Sequence, residues 1–415
     1  MDENVKLMLG NNIDKLKELP NNFVDSIVTD PPYGLSFMGK KWDYDVPSVE
    51  FWQEVYRVLK PGGHILSFGG TRTYHRMVVN MEDAGFEIRD CIMWVYGSGF
   101  PKSHNIGKAV DKIEGNEREF VGYNPNHREG RIDNSPYHAK GITDTNPTNT
   151  KGQSEWEGWG TALKPANEPI CVARKPLSEK TIVENVLRWG TGGINIDGCR
   201  IGNDKITSHN NIYEGRFPAN FIIDEEASIL LDEQSGNLKS GFGEIGSGNS
   251  INDGSKVGMK GKIISCYADT GGASRFFYIP KVSKKERNMG LDNFEDKETK
   301  ITNQSKKCNI CNKWELASSG EQYICKCENP DWNIPIQKNS HPTVKPINLL
   351  TYLVRMVTPP NGIVMDCYMG SGSVGISARL EGFQFIGMEM DEEYFNIAEA
   401  RINNYELYKD LIKKK

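Results

Sequence analysis

No apolar run in this 415-residue chain approaches the roughly 20 residues that a helix needs to cross a bilayer, which excludes a helical membrane protein. The opening Met1-Asp2-Glu3-Asn4 has neither the basic region nor the apolar stretch of a signal peptide. A cytoplasmic protein with no membrane partner is therefore expected. A surplus of positive charge is also missing. The net charge of −5 speaks against indiscriminate binding to nucleic acid, although a local basic cleft is compatible with it. The nine cysteines are too scattered for a disulfide framework, and no internal repeat is present. What remains is ordinary globular composition, 37% hydrophobic and 25% charged, in a chain longer than one average domain.

Three textures follow one another. In residues 1–100, Asn4–Leu9 reads as a strand, Ile13–Leu19 as a short helix and Val24–Thr29 as a strand ending at Asp30. Ser48–Leu59 has helical spacing and is stopped by Pro61-Gly62-Gly63, after which His64–Phe68 is a strand. Residues 101–340 are irregular, polar over Gly115–Gly160 and rich in Gly and Ser over Gly236–Gly261, with one clear strand at Pro169–Arg174. Residues 341–415 return to alternation. Ile347–Val357 is a helix, Gly362–Cys367 a strand, Gly372–Glu381 a helix and Phe383–Met390 a strand, and Asp391 opens a last helix. Strands separated by helix-length segments predict a mostly parallel sheet with helices on both faces.

Two of these strands end in chemistry. The strand into Asp366-Cys367-Tyr368-Met369-Gly370-Ser371-Gly372-Ser373 gives way to a helix. Glycine there lets backbone approach a ligand, and the helix start offers free N–H groups. Glu389 ends the next strand, where an acid suits the hydroxyls of a ribose. The turn lacks the Gly-Lys-Ser/Thr ending of a phosphate-gripping loop. By itself it signifies an adenosine-containing cofactor, the alternative being a tight turn that uses glycine for packing. The second strand end is Asp30-Pro31-Pro32-Tyr33-Gly34. Two prolines stiffen the backbone and leave carbonyl oxygens as acceptors, Asp30 adds an ionised acceptor, and Tyr33 adds a flat face. That set fits an aromatic ring bearing an amino group. Two acceptors on its N–H bonds favour a nucleophilic nitrogen that attacks the methyl of a sulfonium cofactor directly. The alternative is a Pro-Pro turn in which Asp30 caps and Tyr33 packs.

In motif content and order the chain resembles the amino-group (N6-adenine/N4-cytosine) DNA methyltransferases of the permuted beta class. The catalytic tetrad comes first, at 30–34, then a long middle, then His341-Pro342-Thr343-Val344-Lys345-Pro346 and the cofactor turn at 366–373. The resemblance covers roughly 1–100, 161–176 and 341–415. It implies a Rossmann-like α/β sheet dependent on S-adenosylmethionine, circularly permuted, with an inserted target-recognition region. The domains are then 1–176 (catalytic half, with a polar insert at 101–160), 177–340 (recognition) and 341–415 (cofactor half). The catalytic residues implied are Asp30, Pro31, Pro32 and Tyr33. The cofactor residues are Asn11, His341, Thr343, Lys345, Asp366, Tyr368, Gly370, Ser371, Gly372 and Glu389. Asn11 stands where relatives commonly have aspartate, and Tyr368 where they have phenylalanine.

An aspartate before Pro-Pro is typical of adenine enzymes, so the expected function is site-specific methylation of adenine N6 in double-stranded DNA. N4-cytosine methylation, or a homologue that binds DNA without catalysis, are the alternatives. RNA is a weaker one. The target base must leave the duplex, and Trp94, Tyr96 and Phe100 fall where the family lines the base pocket. Arg188-Trp189, Arg216-Phe217 and Arg275-Phe276 pair charge with aromatics, as phosphate or base contacts do, though each is also ordinary protein content. A homodimer and a restriction endonuclease are the protein partners considered. Finally, Cys308-x-x-Cys311 and Cys325-x-Cys327 have the size of a zinc ribbon, so a structural Zn²⁺ is expected there; four reduced cysteines in a loop are the alternative.

Overall fold

Both ends of the chain enter one eight-stranded sheet. Its strands are β1 (Val5–Leu9), β2 (Val24–Thr29), β3 (Leu59–Phe68), β4 (Glu87–Val95), β5 (Asn167–Arg174), β6 (Phe221–Ile223), β7 (Ile363–Asp366) and β8 (Gln384–Glu389). They lie in the order β1–β8–β7–β2–β3–β5–β4–β6. The computed structural model describes residues 3–35, 43–97, 99, 103–123, 148–208, 211–239, 243–244, 264–265, 270–281, 283–295, 297–298, 307–308, 310–311, 326–327, 332–333 and 336–412. Of the eight strands β5 alone runs antiparallel, against β3 on one side and β4 on the other. The expected α/β class holds, with this one reversed strand.

The strand order reverses between β7 and β2. From β7 the chain steps outward to β8, and from β2 it steps the other way to β3, with Val364 opposite Ser26 at the junction. Ligands of open α/β sheets gather at the carboxyl ends of strands at such a point. Asp30 follows β2 directly and Asp366 closes β7, so the sequence places its two chemical motifs there.

Hydrophobic spacing explains the layers. Helix α1 (Val49–Val58) starts where Ser48 Oγ accepts the N–H of Phe51, and it buries Phe51, Trp52, Val55 and Val58 on one stripe. That stripe packs with Ile27, Ile65, Met365 and Ile386 of the sheet. Helix α2 (Ile347–Val357) is apolar nearly all round and is buried on almost every residue, as a core helix must be. Its N-cap is Pro346, so the segment before it is anchored by the best-packed helix of the fold. Among the described residues no helix is long and apolar enough to cross a membrane.

Val24–Thr29 and Ile347–Val357 match the sequence reading residue for residue, and the other elements it named lie within a few residues of those observed, whereas helices such as Tyr74–Asp83, Ile182–Trp189 and Glu225–Ser235 were not read. Two differ for a physical reason. The strand expected at His64 begins at Leu59 and runs through Pro61-Gly62-Gly63. Lys175 supplies the missing partner: Gly62 N–H donates to its carbonyl at 3.0 Å, and its own N–H donates to the Gly63 carbonyl at 3.0 Å. A Cβ on Gly62 would meet the Asn185 amide at 2.4 Å, so glycine here permits a close approach and does not mark a turn. Strand β4 has no counterpart in the sequence reading, because Arg89 and Asp90 face solvent and its fully buried side chains are Ile92 and Trp94.

The chain divides into two compact units. The first comprises 1–97, 167–290 and 343–415 and holds the sheet; residues 177–290 of the expected recognition region belong to it. The second comprises 98–166 and 291–342. Within the second, a helix (Ile106–Glu114) and a two-stranded ribbon (Glu119–Tyr123 with Thr148–Lys151) are tied by Arg118, which bonds Asp111, Glu157 and the Thr150 carbonyl. Most of Gly236–Gly261 lies outside the described residues.

Candidate active site

Asp30 sits at the centre of a four-residue polar cluster. The Tyr33 hydroxyl lies 2.8 Å from Asp30 Oδ1 and 2.8 Å from Glu168 Oε2. Lys345 Nζ donates to Asp30 Oδ2 at 2.6 Å and lies 3.3 Å from both Glu168 Oε2 and the Tyr33 hydroxyl. The ammonium also rests over the rings of Phe68 and Tyr33, at 5.0 and 5.5 Å from their centroids. Burial works against the charge of Lys345, but Asp30 and Glu168 outweigh it and hold the ammonium above its usual range. Burial, then the same two carboxylates, push the Tyr33 phenol far up, so it stays protonated and serves as a donor. Tyr96 stands close enough that burial and the charge of Glu168 raise its phenol to about 12.

Asp43 shapes the loop from beneath. Its Oδ1 accepts the N–H groups of Tyr33 at 2.7 Å and Gly34 at 3.0 Å, and its Oδ2 accepts that of Leu35 at 3.2 Å. Gly34 is in the left-handed region at φ +66°, which turns successive N–H groups toward one carboxylate. Thr73 Oγ1 donates to the Tyr33 carbonyl. The carbonyls of Pro31 and Pro32 accept no hydrogen bond among the described residues and keep their acceptor capacity.

The glycine turn lies across the β7–β2 junction. Thr29 Oγ1 donates to Asp366 Oδ1 at 2.7 Å, and the Tyr368 N–H donates to the same oxygen at 3.0 Å. Burial raises the Asp366 carboxyl to about 7 against those two hydrogen bonds, with the charges of Asp30 and Glu389 pushing the same way. Glu389 closes the turn: Oε2 accepts from Gly370 N at 2.8 Å, and Oε1 from Met390 N and Asp391 N at 2.9 Å each. Gly370 and Gly372 are left-handed, at φ +52° and +80°, and a Cβ on Gly372 would press on Ala398 at 3.0 Å. The turn thus has an acid fixed at the strand end and two glycines without Cβ atoms.

The structure brings Asp30, Pro31, Pro32, Tyr33 and Lys345 together, and Asp366, Tyr368, Gly370, Ser371, Gly372 and Glu389 together. Lys345, expected beside the cofactor, stands on the Asp30 and Glu168 carboxylates. Ser371 is buried, with its hydroxyl and carbonyl both held by Arg401, so it braces the turn. Asn11 is exposed and caps a short helix, accepting from Ile13 N. Its neighbour Asn12 is the one that reaches the turn, donating to the Cys367 carbonyl at 3.3 Å. Thr343 is exposed in the sheet-bearing unit, and His341 belongs to the second unit, where its N–H donates to Asn339. Trp94 is core, edge-on to Phe68, whereas Phe100 lies outside the described residues. Cys325 and the side chain of Cys308 also lie outside them; Cys311 and Cys327 are half-buried, and the described residues contain no metal-holding cluster.

Four contributors escaped the sequence reading: Asp43, Glu168, Asn12 and Arg401. Glu168 carried a usable signal, since it opens strand β5 two residues before the apolar run Ile170–Ala173, where an acid is out of place unless it faces a site. Asn12 and Arg401 act through contacts between separate segments, and Asp43, although near its partners in the chain, belongs to no motif.

An acceptor-rich Asp-Pro-Pro-Tyr loop thus lies beside a glycine turn at the switch point of an α/β sheet. A family model described as DNA methylase, of the N6/N4 type, matches residues 24–400, and the chain belongs to that family. It is 41% identical over 70 residues to the type II methyltransferase M1.MboII of Moraxella bovis, covering 17% of this chain and 27% of that one. It is 34% identical over 119 residues to M.HpaI of Haemophilus parainfluenzae, covering 26% and 37% respectively. The matched stretches thus span roughly a quarter to a third of these curated relatives. Among solved structures, the M1.HpyAVI–SAM complex aligns at a TM-score of 0.38 and 16% identity, over 96% of this chain and 99% of that one. The cytosine-N4-specific PvuII DNA methyltransferase aligns at 0.44 and 15%, over 99% and 91%.

Replacing Asp43 by alanine removes the acceptor of three N–H groups, with an expected cost of about 1–3 kcal/mol. Misplacing Tyr33 should lower methyl transfer further, by roughly tenfold or more relative to the loss of folded protein. Denaturant melts and single-turnover rates on the same preparation separate the two effects.

Proposed function

We propose that this chain transfers a methyl group from S-adenosylmethionine to adenine N6 of a flipped-out base in double-stranded DNA. The observation that carries the reading is the Thr29–Asp366 hydrogen bond, which fixes the acceptor loop and the glycine turn side by side. S-adenosylmethionine supplies an electrophilic methyl on a sulfonium. Gly370 and Gly372 give its passage along the turn, Glu389 takes the ribose hydroxyls, and Asp366 offers Oδ2, which accepts no hydrogen bond among the described residues, to its positive end. On the other side the Pro31 and Pro32 carbonyls and Asp30 hold the amino hydrogens, and the ring of Tyr33 supports the base. Residues 177–340 are our choice for reading the DNA sequence. Aspartate at position 30 favours adenine. Incubating the protein with S-adenosylmethionine and mixed DNA, then digesting to nucleosides for mass spectrometry, should give 6-methyladenine, abolished by Asp30→Ala. 4-Methylcytosine as the product would overturn the base assignment, and no methylated nucleoside would overturn the activity.

The cofactor is positively charged, so its binding should follow the ionisation of Asp366. With a carboxyl that titrates at about 7, affinity is full above that pH and is lost as pH falls through it. Titration calorimetry between pH 6 and 8 should show this slope, and Asp366→Asn should flatten it.

Cys308, Cys311, Cys325 and Cys327 are proposed to hold one structural Zn²⁺. Elemental analysis of purified protein should find one zinc per chain, absent after Cys311→Ser; a metal-free wild type refutes the site.

A further inference from the structure

The methylated nitrogen must release a proton, and Asp30 is badly placed to keep it. Both Asp30 oxygens are already engaged, Oδ1 by the Tyr33 hydroxyl and Oδ2 by Lys345 at 2.6 Å. A proton on either oxygen must displace one of these two contacts. Beyond Tyr33, however, lies a second carboxylate. Glu168 Oε2 is 2.8 Å from the same phenolic oxygen but 3.3 Å from Lys345, and Oε1 accepts no hydrogen bond among the described residues. One phenolic proton therefore stands between two carboxylates at equal distance, with the ammonium nearer to one of them.

We propose that Asp30, Tyr33 and Glu168 form a proton relay whose terminus is Glu168. This rests on the methyl-transfer reading above. As the nitrogen–methyl bond forms and the sulfur–methyl bond breaks, the N–H electron pair returns to nitrogen and its proton passes to Asp30. Asp30 then protonates the Tyr33 oxygen while Tyr33 gives its own proton to Glu168. The phenol is neutral before and after, and Asp30 is again a carboxylate beside Lys345. No oxidant or further reactant is needed. The weakened acidity of the Tyr33 phenol is compatible with this concerted transfer, because no free phenolate is formed. Lys345 sets the direction through its closer contact, 2.6 Å to Asp30 against 3.3 Å to Glu168. The ionisable groups facing Glu168 are Asp30, Tyr33, Lys345 and Tyr96, while Asp366 bears on Asp30. Glu168 acts through Tyr33 and does not touch the base, so it is a positioning residue for the proton.

The test uses full-length protein in single-turnover methylation across pH, with Glu168→Gln, Glu168→Asp, Tyr33→Phe and the Glu168→Gln/Tyr33→Phe double variant. Equilibrium binding of S-adenosylmethionine and DNA is measured alongside. The expected result is a loss of roughly tenfold or more in the methyl-transfer rate of Glu168→Gln, within the usual contribution of acid–base groups, at unchanged affinities. Its rate should climb with pH as hydroxide replaces the lost acceptor. Tyr33→Phe should lose a similar factor, the double variant should be no slower than either, and Glu168→Asp should restore part of the rate. A Glu168→Gln rate within twofold of wild type, losses that multiply in the double variant, or a pH profile parallel to wild type would each overturn the relay. If instead the wild type methylates no DNA, it is the underlying activity that fails. Melting temperatures of all variants exclude misfolding as the source of a loss.

Discussion

The hydrogen bond from Thr29 to Asp366 is the constraint on which the site depends. It spans residues more than three hundred positions apart, at the junction where the sheet reverses its order. Both strands are buried there, so neither partner could be left without the other except at the cost of an unpaired polar group in the core. The acceptor loop and the glycine turn follow immediately from those two residues. Their spacing is thereby set by the pitch of the sheet and not by mobile loops, as group transfer between two bound molecules requires.

Around that junction charge is arranged in opposing senses. Asp366 is driven toward neutrality by burial and by neighbouring carboxylates, and is available to a cation. Lys345 is driven the other way, kept charged by Asp30 and Glu168 despite its burial. The site thus holds one carboxyl that titrates at about 7 a short distance from a carboxylate paired with an ammonium, two side chains of the same type in different environments.

How legible this was in sequence depends on whether a residue's role is local. The strands into Asp30 and Asp366, the helix Ile347–Val357 and the helix opened by Asp391 are written in hydrophobic spacing and capping, and were read to within a residue or so. The tetrad and the glycine turn were readable because each keeps its chemistry within a few consecutive positions. Lys345 was picked out but given to the cofactor, because nothing local says that it reaches Asp30. Glu168 left a local mark, an acid at the start of an apolar strand, but its partners Tyr33 and Lys345 lie far off in the chain, while Asp43 and Asn12 belong to no motif. The passage of β3 through Pro61-Gly62-Gly63 was also hidden, since its partner lies on β5, more than a hundred residues away.

The place of β1 at one edge has a consequence for how the chain comes to be folded. Its hydrogen-bonding neighbour is β8, Val5 lying opposite Phe385, so during synthesis β1 waits until nearly the whole chain has been made. Pairing across such a distance is slow, and a strand left waiting is exposed to association with other chains. Four of the five residues of β1 are apolar, and Lys6 is the one charge that guards the unpaired strand against association during the delay.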